Sequence, residues 1–139
     1  MRLGIVIAGL LFLAGMGSEL RAQKDYVFTV VHPQKMRLEL ATDRTAILID
    51  VRMKMEYRKR HIEGAINLPR KKDMDKFIAT THDFRPVYVH CTTETRARQA
   101  AKLLIDSGFT NVFILEGGLN KWVSLNLPTE KGRQGKAIF

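Results

Sequence analysis

Pro86-Val87-Tyr88-Val89-His90-Cys91-Thr92-Thr93-Glu94-Thr95-Arg96-Ala97-Arg98 is the stretch around which the chain is organised. A short apolar strand runs from Pro86 to His90, and the single cysteine of the chain follows it. Then come three threonines, a glutamate and an arginine, and from about Thr95 to Ser107 a helical pattern takes over. Ala97, Ala100, Ala101, Leu104 and Ile105 recur at i, i+3, i+4, i+7 and i+8, the spacing of one apolar helix face. Gly108 stands where a helix is stopped by a left-handed residue. The order therefore predicts a strand–loop–helix unit with one thiol at its mouth.

The neighbouring segments repeat the theme. Asp25 to Val31 is β-branched and aromatic and reads as a strand, with an edge position expected. Pro33 suits the first turn of a helix that reaches a turn at Thr42-Asp43-Arg44. Ala46-Ile47-Leu48-Ile49-Asp50 and Asn111 to Leu115 are continuous apolar runs, the mark of strands buried on both faces. Val51 to Arg60 reads as long, charged and irregular, and Ala65 to Leu68 as a short strand stopped by Pro69. Arg70 to Thr80 carries Met74, Phe77 and Ile78 on one helix face, and Leu119 to Leu125 reads as a short helix around Trp122. The tail beyond Pro128 is polar and reads as frayed. Strands alternating with helices predict an α/β domain, with a mostly parallel central sheet and helices on both faces. Ligands of such sheets bind beyond the carboxyl ends of the strands, where Asp50, Cys91 and Glu116 fall.

Residues 1–22 are set apart. Arg2 precedes an uncharged, mostly apolar run from Leu3 to Gly17, and small Ala22 ends the segment. This reads as a secretory signal peptide, with residues 23–139 as the exported domain, periplasmic or secreted. Leu20 fits the cleavage rule poorly, so cleavage near Gly17 is the alternative. An uncleaved anchor is the other, although the run is short for a bilayer, which takes about 20 residues. The formal net charge of the whole chain is +9, with clusters at Arg58-Lys59-Arg60 and Arg70-Lys71-Lys72. A basic surface attracts anions. The aromatic interleaving of single-strand binders is missing, so nucleic acid is not an expected partner, and a solvated basic surface is the plainer reading.

A thiol reacts as its thiolate, which a helix N-terminus favours. The loop Thr92 to Thr95 can turn its N–H groups inward as an anion nest, and Arg96 adds a charged fork. Thr92, Thr93 and Thr95 add hydroxyl donors, which makes a cradle for a thiolate or a persulfide. The competing reading is a cysteine that serves as a small buried hydrophobe. Its place in a loop, and its being unpaired in a chain read as exported, speak for reactivity.

The chain resembles the single-domain rhodaneses, a family of sulfurtransferases. The resemblance rests on Leu48 to Arg52, Glu56-Tyr57, His61 to Pro69, Val87 to Cys91, Arg96-Ala97, Gly108-Phe109, Asn111-Val112 and Leu115 to Gly118 with Trp122, and it spans about Pro33 to Leu127. It implies that Cys91 takes a sulfur from a donor such as thiosulfate or a persulfide and passes it to cyanide, a thiol or a redox protein. It implies that Arg96 binds the anionic donor and that the amides from Thr92 to Arg96 hold the persulfide. Asp50 and Arg52 are read as a structural pair at the strand exit, with Glu56 and His61 in the same network; His61 is read as a hydrogen-bonding residue of its turn. Gly117 and Gly118 are read as backbone requirements. The family's loop often carries glycine where Glu94 stands. A glutamate there either strains the loop at positive φ and repels an anionic donor, or points outward and helps to cap the helix.

Other classes are weighed against this one. Phosphatases of this fold place five residues between cysteine and arginine, whereas four separate Cys91 from Arg96, and Ala97 stands where that arginine would be needed. A non-catalytic binding module is the main alternative. His32, His61, His82 and His90 show no metal-ligand spacing, so neither a metal nor another cofactor is expected. A monomer is expected.

Overall fold

The computed structural model describes residues 26–81 and 84–134. The segment read as a signal peptide, residues 1–22, lies outside the described residues, as does His82.

Five strands form one parallel sheet in the order β1-β5-β4-β2-β3. They are β1 (Thr29–Val31), β2 (Ile47–Asp50), β3 (Ile66–Asn67), β4 (Val87–His90) and β5 (Val112–Leu115). The helices are α1 (Pro33–Thr42), α2 (Lys54–Lys59), α3 (Lys71–Thr80), α4 (Thr95–Asp106) and α5 (Gly118–Ser124). The first strand is shorter than the apolar run suggests, and it lies at the sheet edge as expected.

Side chains alternate across a strand, so each apolar run feeds two cores. Ile49, Val87, Val89, Val112 and Ile114 face Met74 and Phe77 of α3 and Ala97, Ala101 and Leu104 of α4. Leu48, Tyr88 and Leu115 face Met36 of α1, Tyr57 of α2 and Leu119 and Trp122 of α5. Both sheet faces are thereby covered by helices. The small residues Ala97 and Ala101, fully buried, let α4 lie close on the sheet. Gly108, at φ 98°, closes that helix.

Two expectations are corrected. Val51 to Arg60 is not irregular throughout, because α2 occupies Lys54–Lys59. The helix starts where the Glu56 carboxylate accepts a hydrogen bond from the Met53 amide at 2.9 Å. It is fastened by buried Tyr57, which stacks on His61 with ring centroids 3.7 Å apart and donates its hydroxyl to the Ala65 carbonyl at 2.6 Å. The tail is not frayed directly after Pro128 either. Glu130 exchanges backbone hydrogen bonds with His61 at 2.8 and 2.9 Å, and the Gln134 side chain accepts from the Asn67 amide at 2.7 Å.

Candidate active site

The carboxyl ends of β2 and β4 lie side by side, with Asp50 opposite His90. Cys91 is the first residue past β4, as the sequence predicts, and three loop residues then lead into α4. No side chain caps the start of α4, so its first-turn amides, which lack partners within the helix, present their N–H groups in this loop.

Cys91 is nevertheless only 1% exposed and packs in the apolar cluster with Val51 and Ala97. A loop position did not make it accessible, because its side chain turns into that cluster while its loop is tied by the backbone to α5. The Cys91 and Thr92 carbonyls accept hydrogen bonds from Leu119 N–H at 2.9 Å and Asn120 N–H at 3.1 Å.

Arg96 does not stand free for a donor. Its Nη1 and Nη2 reach the two oxygens of Glu56 at 3.1 and 3.2 Å, and Nη2 also donates to the Thr92 hydroxyl at 3.1 Å. The Thr92 hydroxyl in turn lies 3.3 Å from Glu56 Oε1. The Arg96 hydrogen bond, joined by the Met53 amide, holds the Glu56 carboxyl at about 2, down from 4.5, against a smaller opposing effect of burial. Because the folded value is depressed, the pair's stabilisation is complete above about pH 4.5 and is lost as pH falls through about 2. A carbon-13 titration of the Glu56 carboxyl is expected to show a midpoint near 2, returning toward the ordinary range in Arg96→Gln. A wild-type midpoint above 4 would disprove the pairing.

Glu94 follows neither of the two alternatives left open by the sequence in full. Its backbone sits at φ −127°, so no left-handed strain arises. Its carboxylate reaches across to the start of α5, accepting from the Gly117 amide at 2.8 Å and from Arg98, and these contacts lower its pKa, the Gly117 bond first. It fastens the loop to the start of α5 and leaves its own helix uncapped. Thr93 and Thr95 are exposed, and among the described residues their hydroxyls take no hydrogen-bond partner.

Asp50 and Arg52 form a buried pair at 2.6 Å, and Arg52 also donates to the Arg60 carbonyl at 2.6 Å. Glu56 and His61 do not share that hydrogen-bond network. Glu56 goes to Arg96, and His61 sits between the Tyr57 carbonyl at 2.8 Å and Glu130 Oε1 at 3.0 Å. Sequence reasoning missed His90, fully buried, whose Nε2 lies 3.6 Å from Asp50 Oδ2 and finds no hydrogen-bond partner among the described residues. Burial pushes its pKa down. Its position beside the cysteine was the available signal. Glu116, at the end of β5, pairs with Lys121 at 2.7 Å and takes no part in the loop. Ala97, where a phosphatase of this fold would need arginine, is wholly buried.

An open groove of about 420 Å³ begins at Arg96 and Val51. Leu68, Met74, Ala100 and Leu103 give it an apolar floor.

The family model described as "Rhodanese-like domain" matches residues 32–125. The thiosulfate sulfurtransferase GlpE of Glaesserella parasuis is 30% identical over 105 residues, covering 76% of this chain and 95% of that protein. The uncharacterized protein YqhL of Bacillus subtilis is 38% identical over 79 residues, 57% of this chain and 62% of that protein. Among solved structures, the rhodanese-like domain of the Anabaena Alr3790 protein superposes with a TM-score of 0.67 at 26% identity, covering 81% of this chain and 92% of that one.

Proposed function

The chain belongs to the family of rhodanese-like domains, and we propose that it is a sulfurtransferase whose carrier is Cys91. The observation that carries this reading is the placement of the one cysteine between the end of β4 and the uncapped start of α4, with Arg96 in the first turn. A first turn presents free N–H groups and the positive end of the helix dipole to an anion. The Cys91 thiolate attacks the outer sulfur of a donor. With thiosulfate, the new S–S bond forms as the donor's S–S bond breaks, its electron pair leaves with sulfite, and Cys91 keeps an anionic persulfide. A thiophile then attacks the terminal sulfur. Cyanide leaves as thiocyanate, a thiolate leaves as a persulfide, and the Cys91 thiolate is restored.

Two features shape the donor preference. Arg96 already carries the Glu56 carboxylate, so an anionic donor must take over that contact. The groove at Arg96 is apolar along its floor, which favours an organic persulfide or thiosulfonate over small, fully hydrated thiosulfate. With no second cysteine in the chain, regeneration falls to an external thiol or a redox protein. The leader read in residues 1–22 makes that partner an exported one in this proposal.

The test is the intact mass of the protein before and after incubation with thiosulfate and with an organic persulfide, beside Cys91→Ser. A gain of one sulfur atom, reversed by cyanide and absent in Cys91→Ser, is the expected result. The near-complete burial of the sulfur favours a second reading, a non-catalytic binding module. No gain from either donor, together with a thiol inert to a small neutral alkylating agent, would establish that reading instead.

A further inference from the structure

The basic residues that sequence reasoning assigned to a solvated surface are not spread evenly. Lys54 and Arg58 of α2, Arg70 and Arg133 line one hollow of about 310 Å³. Its one carboxylate, Asp73, is already bonded to Arg70 at 2.8 and 2.9 Å. Among the described residues, Lys54, Arg58 and Arg133 have no carboxylate partner, so their three charges stand uncompensated around the hollow.

This arrangement is assembled against its own repulsion. Lys54 and Arg58 are four apart on one helix, where like charges destabilise. The tail then brings a third cation to them. Gly132 donates its amide to the Arg58 carbonyl at 2.9 Å, and Gln134 holds the Asn67 amide at 2.7 Å, which fixes Arg133 between these two ties. Cations held around a concavity focus a positive potential, and a multivalent anion relieves the repulsion. Guanidinium forks suit phosphate and carboxylate oxygens. The hollow adjoins the apolar groove at Arg96, because Pro69 and Arg70 line both.

We propose that Lys54, Arg58 and Arg133 bind the polyanionic end of a small thiol or persulfide, two or more linked phosphate or carboxylate groups. Its apolar middle lies along the groove. As a persulfide it yields its outer sulfur to the Cys91 thiolate and leaves as a thiolate. As a thiolate it takes the outer sulfur of the Cys91 persulfide, leaves as a persulfide and restores the Cys91 thiolate. The sulfur end of this assignment rests on the sulfurtransferase reading; the anion site does not.

The full chain is titrated with tripolyphosphate, with citrate and with inorganic phosphate at constant ionic strength, followed by amide NMR and calorimetry. One of the two polyanions is expected to bind about tenfold or more tighter than inorganic phosphate, and which one does tells phosphate from carboxylate. The shifts should centre on Lys54, Arg58 and Gln134. Arg58→Gln/Arg133→Gln should weaken that binding at least about tenfold while sulfur loading from thiosulfate stays unchanged. Cys91→Ser should bind the polyanion normally. Binding that survives the double substitution, or no saturation by either polyanion below about 10 mM at near-physiological salt, overturns the proposal. Binding of polyglutamate without either small polyanion also overturns it, in favour of an acidic protein segment. Polyanion binding at these residues in a protein that never loads sulfur keeps the anion site and removes the sulfurtransferase reading instead.

Discussion

Gly118→Ala is expected to abolish sulfur loading of Cys91 and to lower the unfolding temperature by more than about 10 °C. Gly118 opens α5 at φ 60°, a left-handed conformation that costs an L-residue roughly 1–2 kcal/mol. The added methyl would fall on the Thr93 carbonyl oxygen and 2.7 Å from the carbonyl oxygens of Cys91 and Thr92. These are backbone atoms that cannot swing aside. Two of them accept the hydrogen bonds from Leu119 and Asn120 that fold the loop onto α5. Overpacking of this kind costs about 1–3 kcal/mol, and each lost hydrogen bond about 1 kcal/mol. The sum is on the order of 4–7 kcal/mol, from a native margin of roughly 5–15 kcal/mol. The displaced atoms belong to the loop that holds the sulfur, so activity goes with stability. Gly117→Ala is the informative control. It is also left-handed, at φ 67°, but the carbon it adds meets the Lys121 side chain and not the loop carbonyls. It should lose stability while keeping sulfur loading in the folded fraction. Thermal melts and intact-mass loading of both variants decide the matter. A Gly118→Ala protein that melts like wild type and loads sulfur would show that the loop does not depend on this contact.

The same contact shows where the sequence speaks and where it is silent. Ile47–Asp50, Val87–His90 and Val112–Leu115 were legible because a strand buried on both faces has to be continuously apolar. The stripe on α4 was legible because its period is that of a helix, and the Cys91 loop because one thiol stands where strand turns to helix. Helix α2 was not legible. It has six residues and buries only Tyr57, so it has no apolar period to detect. What holds it is Glu56 on the Met53 amide and a ring stack, both set by tertiary placement. The Glu56–Arg96 pair joins residues 40 apart in sequence, and no spacing rule reaches across that distance. The hollow around Arg133 was hidden for the same reason. Its four cations come from α2, the start of α3 and the tail, and only the folded tail assembles them. The burial of Cys91 was likewise set by tertiary placement, because Val51, 40 residues earlier, packs in the same apolar cluster.

Asp50→Ala is the second substitution expected to act strongly, and its effect is on stability first. Asp50 is wholly buried and Arg52 nearly so. Asp50 accepts from the Arg52 amide at 2.9 Å and from the guanidinium at 2.6 to 3.1 Å. Removing one member of a buried pair strands the other's charge, at about 3–5 kcal/mol. Among the described residues Arg52 then keeps the Arg60 carbonyl as its only hydrogen-bond acceptor, and a carbonyl cannot neutralise it. Removing both charges, as in Asp50→Leu/Arg52→Met, should recover much of that loss, since well-packed apolar pairs often match buried ion pairs. His90 supplies a pH signature. Burial lowers its pKa, and the Asp50 carboxylate partly offsets that. The folded protein therefore refuses a proton that the unfolded chain accepts. This stability is present above the ordinary value of 6.5 and is lost as pH falls below it. Without Asp50 the offset disappears, so the decline that starts near the ordinary value of 6.5 should extend to lower pH, and Asp50→Ala/His90→Gln should remove it. Urea melts across that range measure both effects. A single-variant loss below about 1 kcal/mol would mean that water or a backbone group takes over the Arg52 charge. A decline that ends at the same pH with and without Asp50 would mean that Asp50 and His90 do not sense each other across 3.6 Å.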